Sequence, residues 1–87
     1  MNLLIYDISD DRLRLKVANI CLDYGLMRIQ RSAFAGTIPT HLRRDIMLEI
    51  RRALGDEEAD VRLYTLCERD AALTRTHVTR GASLAAV

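Results

Sequence analysis

The run Leu3-Leu4-Ile5-Tyr6, ending on the carboxylate of Asp7, constrains this chain more than any other stretch. Four apolar residues in succession describe a strand partnered on both edges and covered on at least one face. Such a strand belongs in the middle of a sheet, so the rest of the chain must supply neighbours and cover. The supply is limited, because 87 residues make a single domain, residues 1–87. A domain of that size buries only somewhat more than roughly 60% of the surface its unfolded chain exposes. A second copy covering an open face would thicken the core.

The remaining patterns fall in order after that strand, which spans Asn2 to Ile8. Asp10 or Asp11 caps a helix, since a short acid there accepts free backbone N–H groups. Leu13, Val17, Ile20, Cys21 and Tyr24 form its apolar stripe, and Gly25 stops it. Leu26 to Ile38 reads as extended, a kinked strand or two short ones turning near Gly36. Met27, Ile29, Arg31 and Ala33 then point one way, and Arg28, Gln30, Ser32 and Phe34 the other. Pro39 suits the first turn of a second helix capped by Thr37 or Thr40, with Leu42, Ile46, Ile50, Ala53 and Leu54 as its buried stripe and Gly55 as its stop. Val61, Leu63 and Thr65 alternate with Arg62, Tyr64 and Leu66 in a last clear strand. "LTRTHVTRG" supplies one further short strand that includes His77, and "ASLAAV" is a frayed end. The order β-α-β(β)-α-β, plus a terminal strand, predicts an α+β sandwich of the ferredoxin-like type, βαββαβ with an extra C-terminal strand. Both helices cover one face of an antiparallel sheet, and the other face is left for a partner.

Composition narrows the function classes. No 18-residue apolar run exists, so no membrane span is expected. The N-terminus lacks the basic region and cleavage site of a signal peptide, which predicts a cytoplasmic protein. Cys21 and Cys67 have no zinc spacing and read as buried thiols. The net charge is only +1, yet twelve of the thirteen basic residues are arginine. Arg28, Arg31, Arg43, Arg44, Arg51 and Arg52 crowd the middle third, before an acidic knot at Asp56, Glu57, Glu58 and Asp60. Arginine suits bidentate phosphate contacts, though any one of these side chains could equally be a solvated helix surface.

Few side chains have the arrangement that catalysis requires. His41 and His77 lack a nucleophile or metal-ligand signature, and there is no glycine-rich phosphate loop, HExxH or CxxC. Asp7 is the exception. It stands at a strand end beside a helix start whose capping role Asp10 and Asp11 already fill. One carboxylate holds Mg²⁺ poorly, because the ion wants octahedral oxygens and retains several waters. Two copies of Asp7 brought together by a two-fold axis could share one ion. Tyr6 and Phe34 are aromatic residues that could stack on bases, or that could serve as core.

Together, "YDISDD", "RLRLKVANICLDYGL", "RIQRSAFAG" and "VRLYTLCE", in that order and spacing, resemble the CRISPR-associated protein two ("Cas two") family. The resemblance covers about residues 1–70. The tail, residues 71–87, matches weakly. What the resemblance implies is a ferredoxin-like homodimer whose sheets face each other and whose C-terminal strand joins the partner's sheet. It implies that Asp7 is a catalytic residue, shared across the dimer as the Mg²⁺ ligand of a metal-dependent endonuclease. The substrate would be single-stranded RNA or double-stranded DNA, and activity-linked positions would fall on Arg14, Lys16, Arg28 and Phe34. Tyr6 and Asp10 would lend support beside Asp7. It also implies a role in spacer acquisition. There the dimer bridges the CRISPR adaptation integrase ("Cas one") and holds a protospacer duplex without reading sequence; by charge, Arg43, Arg44, Arg51 and Arg52 of the second helix would suit that task, and Arg31 is a further nucleic-acid-binding candidate. The alternative expectation is a small ferredoxin-like regulatory or ligand-binding dimer with no nuclease activity.

Overall fold

The computed structural model describes residues 1–77. Seven elements follow one another: β1 (Asn2–Ile8), α1 (Asp11–Asp23), β2 (Met27–Gln30), β3 (Ala33–Gly36), α2 (Thr40–Leu54), β4 (Ala59–Thr65) and α3 (Glu68–Leu73). The four strands form one antiparallel sheet in the order β2-β3-β1-β4. β1 lies inside it, as its apolar run requires, paired with β3 from Asn2↔Gly36 to Ile5↔Ala33 and with β4 from Asn2↔Thr65 to Ile8↔Ala59.

Alternation along β1 then divides its residues between two environments. Asn2, Leu4, Tyr6 and Ile8 are buried, packed with Val17, Cys21, Phe34, Ile46 and Ile50 beneath α1 and α2. Leu3, Ile5 and Asp7 face the other way, onto a sheet surface that no described element covers. Their cross-strand neighbours Tyr64, Arg62 and Asp60 share that surface.

Both long helices obey local chemistry. The Asp10 carboxylate accepts the Leu13 N–H at 2.9 Å, so Asp10 rather than Asp11 is the cap of α1. Gly25 (φ 84°) and Gly55 (φ 59°) take the left-handed backbone that ends each helix. The expected threonine cap of α2 is absent: Pro39 occupies that position, with no side-chain hydrogen bond, and Thr40 is already helical.

Four further expectations need correction. The turn inside the extended segment falls at Arg31-Ser32, not near Gly36. A bulge between Arg28 and Gln30 breaks the alternation of β2, and it pairs Gln30 with Ala33 instead of placing them on opposite faces. Gly36 serves close packing instead, since a Cβ there would meet Leu26 Cδ2 at 3.1 Å. Beyond β4, residues 68–73 form α3, capped by Cys67 Sγ. The C-terminal strand expected there does not form as far as His77, and the rest of it lies outside the described residues. Cys67 is exposed, contrary to its reading as a buried thiol, whereas Cys21 is buried.

One buried polar group ties the sheet's far end together. Asn2 accepts from Arg43 Nε at 3.0 Å and from Thr65 Oγ1 at 3.4 Å, and its amide reaches the carbonyls of Gly36 and Ile38.

Candidate nucleic-acid interface and acidic strand end

The structure gathers three of the predicted basic residues and separates them from the rest. Arg14, Arg28 and Arg31 line one pocket of about 200 Å³, together with Tyr6, Asp11 and Leu15. α1 supplies Arg14, whose guanidinium donates to the Ile8 carbonyl at 3.2 Å and pairs with Asp11 one turn earlier. β2 supplies Arg28, which sits 5.1 Å above the Phe34 ring centroid and donates to the Arg31 carbonyl at 3.4 Å. The Tyr6 and Phe34 rings stack beneath, with centroids 6.2 Å apart. Burial pushes the Tyr6 phenol above its ordinary pKa, and the positive charges of Arg28 and Arg14 partly oppose that rise. The pocket therefore gathers three guanidiniums beside the buried Tyr6–Phe34 pair, an arrangement suited to an anion.

Phe34 does not reach a ligand directly. Its ring has no exposed surface, and it adjoins the pocket only by way of Arg28 above it. Lys16 is exposed on α1 and does not line the pocket. Arg43 is half-buried, with its Nε committed to Asn2. Arg44 and Arg51 rim an apolar groove between α2 and β4, beside Met47, Leu48, Leu54 and Val61. None of these α2 arginines lines the Arg14–Arg28–Arg31 pocket, so the basic middle third is two surfaces rather than one.

Asp7 stands on the opposite face of the sheet from Tyr6. It is exposed, and it lines a shallow depression with Ser9, Glu58, Ala59 and Asp60. Asp60 is its direct partner across the β1–β4 pair. Sequence reading missed this neighbour by assigning it to a solvated acidic knot. The alternation of Arg62 and Tyr64, extended two residues back, places it on the same face of β4 as those two residues. Arg62 grips Asp60 at both oxygens, at 2.9 and 3.1 Å, and holds that carboxyl below the usual carboxylate range. Like charges opposed on a sheet are unfavourable, and the grip offsets this for one of the two. Asp10 contributes the helix cap and does not line the depression.

Within one chain the acid set is too small for a cation. Among the described residues no group of three or more His, Cys, Asp or Glu side chains could hold a metal ion. The open face also carries apolar residues, Ile5 at 41% exposure, Met27 at 72% and Tyr64 at 44%. No described helix is long and apolar enough to cross a membrane.

Comparison with known proteins agrees with this architecture. The family model described as CRISPR associated protein Cas2 matches residues 1–72. The CRISPR-associated endoribonuclease Cas2 2 of Chloroflexus aurantiacus is 50% identical over 62 residues, which cover 71% of this chain and 73% of that protein. A CRISPR-associated endonuclease Cas1/endonuclease Cas2 fusion of Thermoproteus tenax is 37% identical over 67 residues, 77% of this chain and 25% of the fusion. The solved structure of Streptococcus pyogenes Cas2 at pH 6.5 superposes with a TM-score of 0.75 at 23% identity, covering 88% of this chain and 98% of that one, and so shares the fold. With the family model spanning most of the described sheet and both long helices, this chain belongs to the CRISPR associated protein Cas2 family.

Proposed function

We propose that the chain is a nucleic-acid-binding protein of CRISPR adaptation that works as a homodimer of ferredoxin-like protomers. The observation that carries this reading is the pocket that Arg14, Arg28 and Arg31 line together with Tyr6, Arg28 lying over the Phe34 ring. Guanidiniums fixed in this way suit phosphate oxygens and need no base readout. Strand order β2-β3-β1-β4 with two helices on one face supports the ferredoxin-like description. The uncovered sheet face, with Ile5, Met27 and Tyr64 exposed, supports a second copy as its cover. A relative that joins Cas1 and Cas2 in one chain supports the adaptation integrase as a partner. Single-stranded RNA and protospacer duplex DNA are the candidate ligands.

A second reading has its own support in Asp7. Packing two open faces against each other about a two-fold axis would duplicate Asp7 across the interface. Asp7 from each protomer, with Asp60 in the same depression, would then form a set able to hold Mg²⁺ and leave room for its waters. The ion, when bound, would supply charge neutralisation at phosphate and an activated water. Among the chain's own residues, Arg62 would keep Asp60 from repelling the phosphate. This endonuclease reading accords with the name of the Chloroflexus relative, an endoribonuclease.

One experiment tests both readings. Wild type and Asp7→Asn are compared for Mg²⁺-dependent cleavage of labelled RNA and duplex DNA, for binding of the same probes, and for dimer mass by light scattering. Binding and a dimer in both proteins, with cleavage only in wild type, is expected if both readings hold. No cleavage above the mutant's background would remove the nuclease. No binding to either probe would remove the nucleic-acid role.

A further inference from the structure

The arginine pocket differs from a groove that tracks a phosphate backbone. Three guanidiniums face a single carboxylate, Asp11, so its lining carries a net charge of +2. Two of the three make contacts that orient them within the protein. Arg14 is tethered to the Ile8 carbonyl and Asp11, and Arg28 to the Phe34 ring and the Arg31 carbonyl. The pocket, of about 200 Å³, has room for a phosphate group.

Charge selects among phosphates. An internal phosphodiester carries one negative charge, whereas a phosphate monoester carries about −1.5 to −2 at neutral pH. The monoester also offers three free oxygens to the three guanidiniums, where a diester offers two. We propose that the pocket captures the terminal phosphate of a nucleic-acid strand in preference to an internal phosphodiester. This rests on the nucleic-acid reading above and names the ligand group that the pocket takes.

The test uses the full chain and one short single-stranded RNA sequence in three forms: 5′-phosphorylated, 3′-phosphorylated, and hydroxyl at both ends. Affinities are measured by fluorescence anisotropy at fixed salt. One phosphorylated form is expected to bind about tenfold more tightly than the hydroxyl form, a difference of about 1.4 kcal/mol. The form that gains identifies which end is captured. Arg31→Gln, a change in the exposed β2–β3 turn, is expected to bring the three affinities together. The preference is also expected to fade as pH falls through about 6, where the monoester regains its second proton. Arg14, Arg28, Arg31, Tyr6 and Asp11 are the ionisable groups lining the pocket, and no histidine is among them. If wild type binds all three forms alike, terminal capture is overturned while the nucleic-acid reading stands. If it binds none of them, nor duplex DNA, both fall together.

Discussion

Substitution of Phe34 distinguishes a buried floor from a base-stacking platform. The ring is wholly buried, stacked on Tyr6 and covered by Arg28. Phe34→Ala removes a core side chain at a cost of about 3–5 kcal/mol, a large part of the roughly 5–15 kcal/mol that holds a domain folded. Phe34→Leu keeps most of the apolar volume. It loses the ring pair, worth about 0.5–1.5 kcal/mol, and the cation–π contact, worth about 0.5–1 kcal/mol. A loss of about 1–2.5 kcal/mol lowers Tm by roughly 5–20 °C in a domain of this size. RNA binding by Phe34→Leu, measured well below its lowered Tm, should then weaken by only about two- to fivefold, through a less firmly held Arg28. Direct stacking on a base would instead be worth about 1–3 kcal/mol, a loss reaching a hundredfold. Thermal melts by circular dichroism and anisotropy titrations give both quantities. A Phe34→Leu protein that melts like wild type yet loses binding by tens of fold would refute the argument, because the ring would then be touching ligand.

Three other outcomes are expected. Asp10→Ala removes the cap of α1 and should cost about 0.5–2 kcal/mol in a denaturant titration, with cleavage and binding unchanged at temperatures where the variant is folded. Arg62→Gln leaves Asp60 facing Asp7 without a partner, so Tm at low salt should fall, and adding Asp7→Asn should recover part of the loss. Because Arg62 depresses the Asp60 pKa, its contribution is present above the ordinary carboxylate range and is lost as pH falls through the folded value. The gap between wild type and Arg62→Gln should therefore close in acid, and a gap that widened there would contradict this account. Burial pushes the Cys21 thiol up to about 11. Its stabilising effect is complete below about 9 and is lost as pH rises toward 11. At neutral pH a thiol reagent should therefore label only Cys67 in the native chain, and both cysteines after denaturation.

The two long helices were legible in the sequence because everything that defines them is local. Their apolar stripes, the Asp10 cap and the left-handed glycines at 25 and 55 all lie within one or two turns of what they specify. β1 was legible for the same reason. The turn at Arg31-Ser32 was not, since Ser32, whose hydroxyl is one of the weaker turn signals, is the only one it carries. The bulge beside it was also silent. It is a property of the pairing with β3 and not of β2 alone. α3 is six residues long, too short for a periodic stripe to stand out from the surrounding polar tail. Asp60 illustrates the limit for sites. Its relation to Asp7 depends on strand register across more than fifty residues of chain, which local charge patterning cannot reveal. The separation of Arg14, Arg28 and Arg31 from the α2 arginines has the same origin, for it follows from which edge of the sheet, β2 or β4, each group lies toward.

Tyr6 and Asp7 are joined by a single peptide bond yet belong to different neighbourhoods, one beneath the arginines and the other on the bare face of the sheet. Their separation depends only on the pleat of β1, and β3 and β4 fix that strand's register from both sides. A lineage can therefore lose or alter the acid while keeping the cationic pocket whole, or remodel the pocket without disturbing the acid, by point substitution alone. An insertion or deletion of one residue in β1 has no such freedom. It would exchange phenol and carboxylate, driving a charge into the core and an aromatic ring into solvent. Within this strand, divergence in function should proceed by replacement, and the length of Asn2–Ile8 should persist where its chemistry does not.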